Sequence, residues 1–269
     1  MNQQNYKIIE NPRIRVPTID AGRLKNNKTS MIGFLEVDIT NLRNKMREFR
    51  RQNIRFSFTA CMIKIIGDSV AVNRGVQAAL VNDRKLMLFE DVDISISIER
   101  KLDNMYFPYP LILRSVNKKS VLEIDQEIKN EVNKIITNEN DLFMPEKPHL
   151  GKILINLFYM IPSKIRVFLM EFTIKSPLRA KQVIGTIGFA TLNITGRLSG
   201  WVFPDKNPYS LYVALGSLTK KPLVVKNEIQ IREVLNLTTI FDHNIIDGTP
   251  AKLFMNALVD TIERGTIEV

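Results

Sequence analysis

Phe241-Asp242-His243-Asn244-Ile245-Ile246-Asp247-Gly248 lies where one periodicity gives way to another. Before it, Glu228 to Phe241 reads as a strand, entered through a turn at Lys226-Asn227. After it, Phe254, Leu258 and Ile262 recur at helical spacing. They predict a helix from Thr249 to Arg264, with Thr249 as N-cap, Pro250 at the first position and Gly265 where it stops. Such a junction presents a side chain at a surface while its backbone stays fixed. A histidine there is able to take a proton from a hydroxyl, thiol or amine. Asp247, four residues on, turns the loop or pairs with an arginine, and Gly248 opens conformations closed to other residues. Read alone, the motif serves equally as a histidine beside a helix-capping aspartate.

Working outward, residues 1–30 are polar, carry Pro12 and Pro17, and read as an extended arm. Residues 31–38 read as a strand. Thr40 is placed to cap a helix with Leu42, Met46 and Phe49 on its apolar side, and a second helix carries Phe58, Cys61, Met62, Ile65, Ile66 and Val70. Val92, Ile94, Ile96 and Ile98 alternate with polar residues, which is a half-buried strand. Pro108 and Pro110 predict a break before a short strand at Leu111 to Leu113. An amphipathic helix is expected over 118–136, and a polar loop over 137–150. Ile153 to Ile174 is strongly apolar, but Pro162 breaks it and Lys164, Arg166 and Glu171 would sit in hydrocarbon. It reads as two helices packed against the core or a subunit interface, with a lipid-facing surface or an acyl-chain pocket as the alternative. Val183 to Asn193 and Tyr209 to Gly216 read as strands. With no composition shift after the arm, residues 31–269 read as one α/β domain.

The bulk properties exclude several classes. The only cysteine, Cys61, lies in an apolar run, so no disulfide framework or cysteine metal site is available. His149 has no histidine or cysteine at ligand spacing, and no metal is expected. The net charge of +10 is concentrated at Arg43, Lys45, Arg47, Arg50, Arg51 and Arg55. A basic face attracts phosphorylated ligands, anionic lipid or nucleic acid, but no nucleic-acid motif accompanies it, and a solvated helix face accounts for it as well. The N-terminus has no apolar run, so a cytoplasmic protein is expected.

The motif and its surroundings resemble the catalytic domain of the dihydrolipoyl acyltransferases of 2-oxo acid dehydrogenase complexes and, more distantly, chloramphenicol acetyltransferase. Phe34-Leu35-Glu36-Val37-Asp38-Ile39-Thr40 resembles the family's early strand and helix entry. Ser57-Phe58-Thr59-Ala60 with Ile63-Lys64 resembles its next helix. Pro110-Leu111-Ile112-Leu113-Arg114 with Asn117-Lys118-Lys119-Ser120 resembles its proline-and-arginine strand. Gly185-Thr186-Ile187-Gly188 through Gly196, then Pro208 through Gly216 and Lys221-Pro222, resemble the strands before the motif. The pieces keep the family's order from about residue 16 to 265. Asn244 departs from the arginine usual after the motif histidine.

The resemblance implies a chloramphenicol acetyltransferase-like α/β fold, a mixed sheet flanked by helices. It implies an acyltransferase in which His243 is the general base that lets an acceptor attack a thioester. The oxyanion donor implied is a hydroxyl of the Gly185 to Gly196 strand. Ala190 falls where the family carries serine, so Thr191 is the candidate, with Thr186 and Thr195 as fallbacks. Asp247 would hold the loop by a salt bridge, with Arg23 as a candidate partner, and Gly248 completes the motif. The sequence shows no lipoyl domain, so a stand-alone catalytic domain using acyl-CoA, without a covalently bound lipoyl group, is expected. The implied acceptor is a small molecule or lipid, with association at a membrane surface left open. A lipoyl-domain-dependent acyltransferase acting in trans and a non-catalytic trimeric scaffold are the alternatives. One copy of the fold implies a homotrimer with interfacial active sites, His243 facing Thr191 of a neighbour.

Overall fold

A computed structural model describes residues 13–25, 28–102, 105–134, 148–192, 198–204 and 206–267. They divide into two compact units. One takes its described residues from within Met1–Lys25, Glu99–Pro108 and Ile135–Thr173. The other takes them from within Asn26–Ile98, Tyr109–Lys134 and Ile174–Val269.

After α1 (Val16–Gly22), which belongs to the smaller unit, β1 (Ser30–Asp38) leads in the larger unit to α2 (Thr40–Arg51) and α3 (Phe58–Val72). The hairpin β2 (Ala79–Asn82) and β3 (Lys85–Met87) precedes β4 (Ile94–Leu102) and β5 (Met105–Leu113), of which residues 99–108 are counted with the smaller unit. Then come α4 (Val121–Asn133), α7 (Pro177–Ile184), β6 (Ile187–Thr191), β7 (Leu211–Val225), β8 (Glu228–Asp242) and α8 (Gly248–Arg264). The main sheet runs in the order β1-β8-β7-β6-β4-β5. β8 pairs antiparallel with β1 and β7, while β6 pairs parallel with β7 and β4, so the sheet is mixed. β7 and β8 form a long hairpin whose turn residues Lys226 and Asn227 stand at φ 52° and 65°. Those values suit the twist of a two-residue hairpin loop.

The core gathers Ile94, Ile187, Val213, Leu237 and Phe241 from the sheet with Met62, Ile66, Ile124, Phe254 and Leu258 from α3, α4 and α8. α3 is buried nearly all round, from Ala60 to Gly67. That burial pushes the Cys61 thiol up to about 12, which leaves it un-ionised and inert at neutral pH. Gly185 joins α7 to β6 at φ 80°, and a Cβ there would lie 2.8 Å from the Asp93 carbonyl oxygen.

Several elements differ from their sequence expectation. Pro108 and Pro110 lie inside β5, which is an edge strand paired on one side only, the position in a sheet where proline is tolerated. Val183 and Ile184 end a helix, and the strand begins only at Ile187. Thr40 is the first residue of α2 and does not cap it: its hydroxyl accepts the Glu233 N–H at 2.9 Å, and its own N–H donates to the Asp38 carboxylate at 2.9 Å. Arg47 pairs with Glu233 at 2.8 Å, so part of the early basic face is neutralised by β8.

In the smaller unit, the stretch expected to be extended holds α1 (Val16–Gly22), with Pro17 in its first turn, where a proline is tolerated. α5 (Pro148–Met160) and α6 (Ser163–Ile174) follow, separated at Pro162. No helix among the described residues is long and apolar enough to cross a membrane.

Candidate active site

β8 becomes fully buried from Val234 onward and delivers Asp242 and His243 at its end. The junction is fixed through its backbone. His243 N–H donates to Thr29 O at 2.7 Å, and Asp242 N–H donates to Ser210 O at 2.9 Å. The Asp242 carbonyl then accepts from Ile245 and Ile246 (3.0 and 2.9 Å), and its carboxylate accepts from Asn244 N–H at 3.1 Å. Ile246, 1% exposed, anchors the turn in the core. The His243 ring lies outside this scaffold, with its side chain 47% exposed.

A lysine that sequence reasoning missed completes the scaffold. Lys28 Nζ lies 3.1 Å from the buried Asp242 carboxylate and donates to the carbonyls of Pro208 and Tyr209 at 2.8 and 3.0 Å. Burial pulls the Lys28 amine below the ordinary lysine value, and Asp242 pulls it back upward. The next residue, Thr29, holds the His243 amide. One short stretch of chain therefore secures both residues at the end of β8.

Asp247 Oδ1 lies 3.8 Å from His243 Nδ1, and the Asp247 side chain is 86% exposed. It is also the N-cap position of α8, so the helix starts at Gly248 rather than Thr249, with Pro250 still in its first turn. Gly248 does not take a left-handed conformation, contrary to expectation, and a Cβ there would meet nothing within 4 Å. Arg23 pairs with Asp20 at 3.2 Å, both within the smaller unit.

Of the hydroxyls, Thr186 is 6% exposed and already committed. It accepts from Asp93 N–H at 3.0 Å and donates to Gln77 Oε1 at 2.9 Å. That removes it as an oxyanion donor and makes it a tie between β6 and the segment before β4. Asp93 is the hub there, since its carboxylate also holds Arg114 and Ser115 N–H at 2.9 Å each. Thr195 lies outside the described residues. Thr191 is half-buried at the last position of β6.

The ladder register places Thr191 level with Leu215 on β7 and Leu237 on β8. His243 is six residues further along β8. At roughly 3.3 Å per residue this is about 20 Å, with two strand spacings to cross as well. One chain does not bring the two together. Among the described residues no three histidine, cysteine or carboxylate side chains gather to hold a metal ion.

Residues 206–267 match the model of the 2-oxoacid dehydrogenases acyltransferase (catalytic domain) family, a span that contains His243, Asp247 and Gly248. The dihydrolipoyllysine-residue succinyltransferase component of the 2-oxoglutarate dehydrogenase complex of Buchnera aphidicola is 22% identical over 97% of this chain. The chain spans less than two thirds of the length of the curated relatives it matches, 58% in that case. The truncated catalytic core of the 2-oxoacid dehydrogenase multienzyme complex from Thermoplasma acidophilum superposes with a TM-score of 0.64 at 15% identity. It covers 97% of this chain and 100% of that one. The cubic core of a pyruvate dehydrogenase multienzyme complex gives 0.64 at 14% identity, covering 97% and 93%. The resemblance read from the sequence therefore holds in both sequence and fold. The mixed sheet flanked by helices is the fold of these catalytic cores.

Proposed function

We propose that the chain is an acyltransferase that moves an acyl group from a thioester, acyl-CoA, to a hydroxyl, amine or thiol acceptor. The observation that carries this reading is His243. Its backbone is bonded in place, its ring is open to an incoming molecule, and it lies in the segment that matches the acyltransferase family. With Nδ1 turned toward Asp247, Nε2 is the nitrogen that takes the acceptor's proton. The acceptor then attacks the thioester carbonyl, and the carbonyl oxygen becomes an oxyanion bound by the Thr191 hydroxyl. Collapse of that intermediate breaks the carbon–sulfur bond, and the imidazolium returns its proton to the departing thiolate.

The separation of His243 from Thr191 within a chain supports a site assembled between copies. A cube carries threefold axes through its corners, so the cubic core of the structural relative favours a homotrimer here. Phe34, Trp201 and Phe203, between 37% and 52% exposed, form an aromatic cluster suited to such an interface. The acceptor is a small molecule or a lipid, and the working place is the cytoplasm.

A second reading is favoured by the relatives' names, which describe them as acting on dihydrolipoyllysine residues. In it, the thioester arrives on a lipoyl domain of another chain. Incubation with acyl-CoA and with acyl-lipoamide, each in the presence of hydroxyl and amine acceptors, followed by detection of released thiol, separates the two. Release from acyl-CoA is expected. Release from acyl-lipoamide alone supports the second reading, and release from neither leaves a trimeric scaffold without catalysis. His243→Ala is expected to lower turnover by about 10²–10⁴-fold; unchanged turnover would overturn the mechanism.

A further inference from the structure

α6 turns its polarity inside out. Ile165, Phe168, Leu169 and Phe172, spaced as one helical stripe, are 50%, 64%, 48% and 53% exposed. Arg166, on the same helix, is buried, with Nε 2.6 Å from Asp20 Oδ2 and its guanidinium 5.3 Å from the Phe158 ring centroid. Asp20 itself is 0% exposed. The charged pair thus occupies the inside of this unit and the aliphatic and aromatic side chains face out. α5 repeats the pattern with Ile153, Leu154, Leu157 and Met160, exposed from 42% to 80%. A soluble surface rarely carries two such stripes without a function for them.

Basic side chains outnumber acidic ones along these segments. Arg13, Arg15, Arg23, Lys25 and Lys164 stand against Glu171, which accepts the Lys25 N–H at 2.9 Å, while the buried Asp20 and Arg166 pair with each other. Arg13 lies against α5, 4.4 Å above the Tyr159 ring. Exposed apolar side chains on segments rich in cations match an anionic lipid surface, where headgroups meet the cations and acyl chains meet the stripes. Helices of 13 and 12 residues are too short to span a bilayer, so they would lie in its interface. Pairing this face with itself about a twofold axis would bring cation against cation.

We propose that α5 and α6 form a docking surface for an anionic lipid bilayer, which goes beyond acyl transfer. The full chain is mixed with phosphatidylcholine vesicles, with or without phosphatidylglycerol, and bound protein is measured by flotation. Binding to the anionic vesicles, weakened by salt, is expected. Phe168→Ser with Leu169→Gln should lower it at least tenfold. Lys164→Glu should lower it by roughly fivefold or more, since one basic residue near an anionic membrane is worth about 1 kcal/mol. Both sites are exposed, and circular dichroism verifies that the variants fold. His243→Ala should bind like the wild type, and both surface variants should keep thioester turnover in lipid-free solution. Failure of wild type to float with anionic vesicles, or equal flotation of the Phe168/Leu169 variant, overturns the proposal. So does a fall in that variant's assembly mass without lipid, which would assign the face to a second copy.

Discussion

At the scale of single residues, the open His243 ring depends on a pair buried behind it. Lys28 and Asp242 are 26% and 3% exposed, and each is the other's counter-charge. Lys28→Met would leave Asp242 buried and unpaired, which costs about 3–5 kcal/mol, read as a lower midpoint of chemical denaturation. Adding Asp242→Asn removes the stranded charge and should recover most of the loss; a double variant no more stable than the single one would refute the pairing. The Lys28 amine also sets a pH signature. Its folded-state pKa is depressed below the ordinary lysine value by burial, so the unfolded chain binds its proton more tightly. Between the folded and unfolded values, stability from this group rises with pH. The wild type should show that alkaline gain and Lys28→Met should lack it. None of this was readable beforehand. Lys28 and Asp242 are 214 positions apart, and a lysine in a polar arm carries no local mark of a buried partner.

Among elements, α3 and α4 are tied by Asp125. Its carboxylate accepts Ser57 N–H at 2.8 Å, just ahead of α3, and meets Lys129 at 2.6 Å. Burial raises the Asp125 carboxyl, but the bonds from Lys129 and Ser57 together outweigh it and hold it below the ordinary aspartate value. A depressed carboxyl contributes stability that is complete above the unfolded value and is lost as pH falls through the folded one. Acid titration of the wild type should therefore be steeper below pH ~4 than that of Asp125→Asn. Asp125→Ala should cost about 1.5–3 kcal/mol at neutral pH, the worth of a hydrogen bond to a charged group. Parallel acid profiles would exclude this role. Elements set by local pattern were legible: the Lys226-Asn227 turn, the stop at Gly265 and the Pro162 break all fall where the sequence puts them. Elements set by their neighbours were not. Pro108 and Pro110 are tolerated because β5 is an edge strand, and edge position is a property of the sheet order. Val183 reads as a strand residue until Pro177 is seen to open a short helix.

For the whole molecule, the same division separates the half of the site that was legible from the half that was not. His243 announces itself because a motif of eight residues carries both the proposed base and its loop. The proposed hydroxyl partner, Thr191, lies on another strand, and the register keeps it away from His243 within one chain. If Thr191 serves the His243 of a neighbouring copy, each site belongs to two chains, and inactive chains should rescue one another. His243→Ala and Thr191→Val, each purified alone, would be nearly inactive. Unfolded together in equal amounts and refolded, they assemble at random. A site then works only where a Thr191→Val chain supplies the histidine and a His243→Ala chain supplies the threonine, which is about a quarter of the sites. Recovery of thioester turnover to about that fraction, in a species of roughly three times the 30.9 kDa chain by sedimentation, is the expected result. No recovery in a well-folded mixed assembly would place both groups in one chain or remove Thr191 from the chemistry. A mass of one chain with full wild-type turnover would remove the interfacial site altogether.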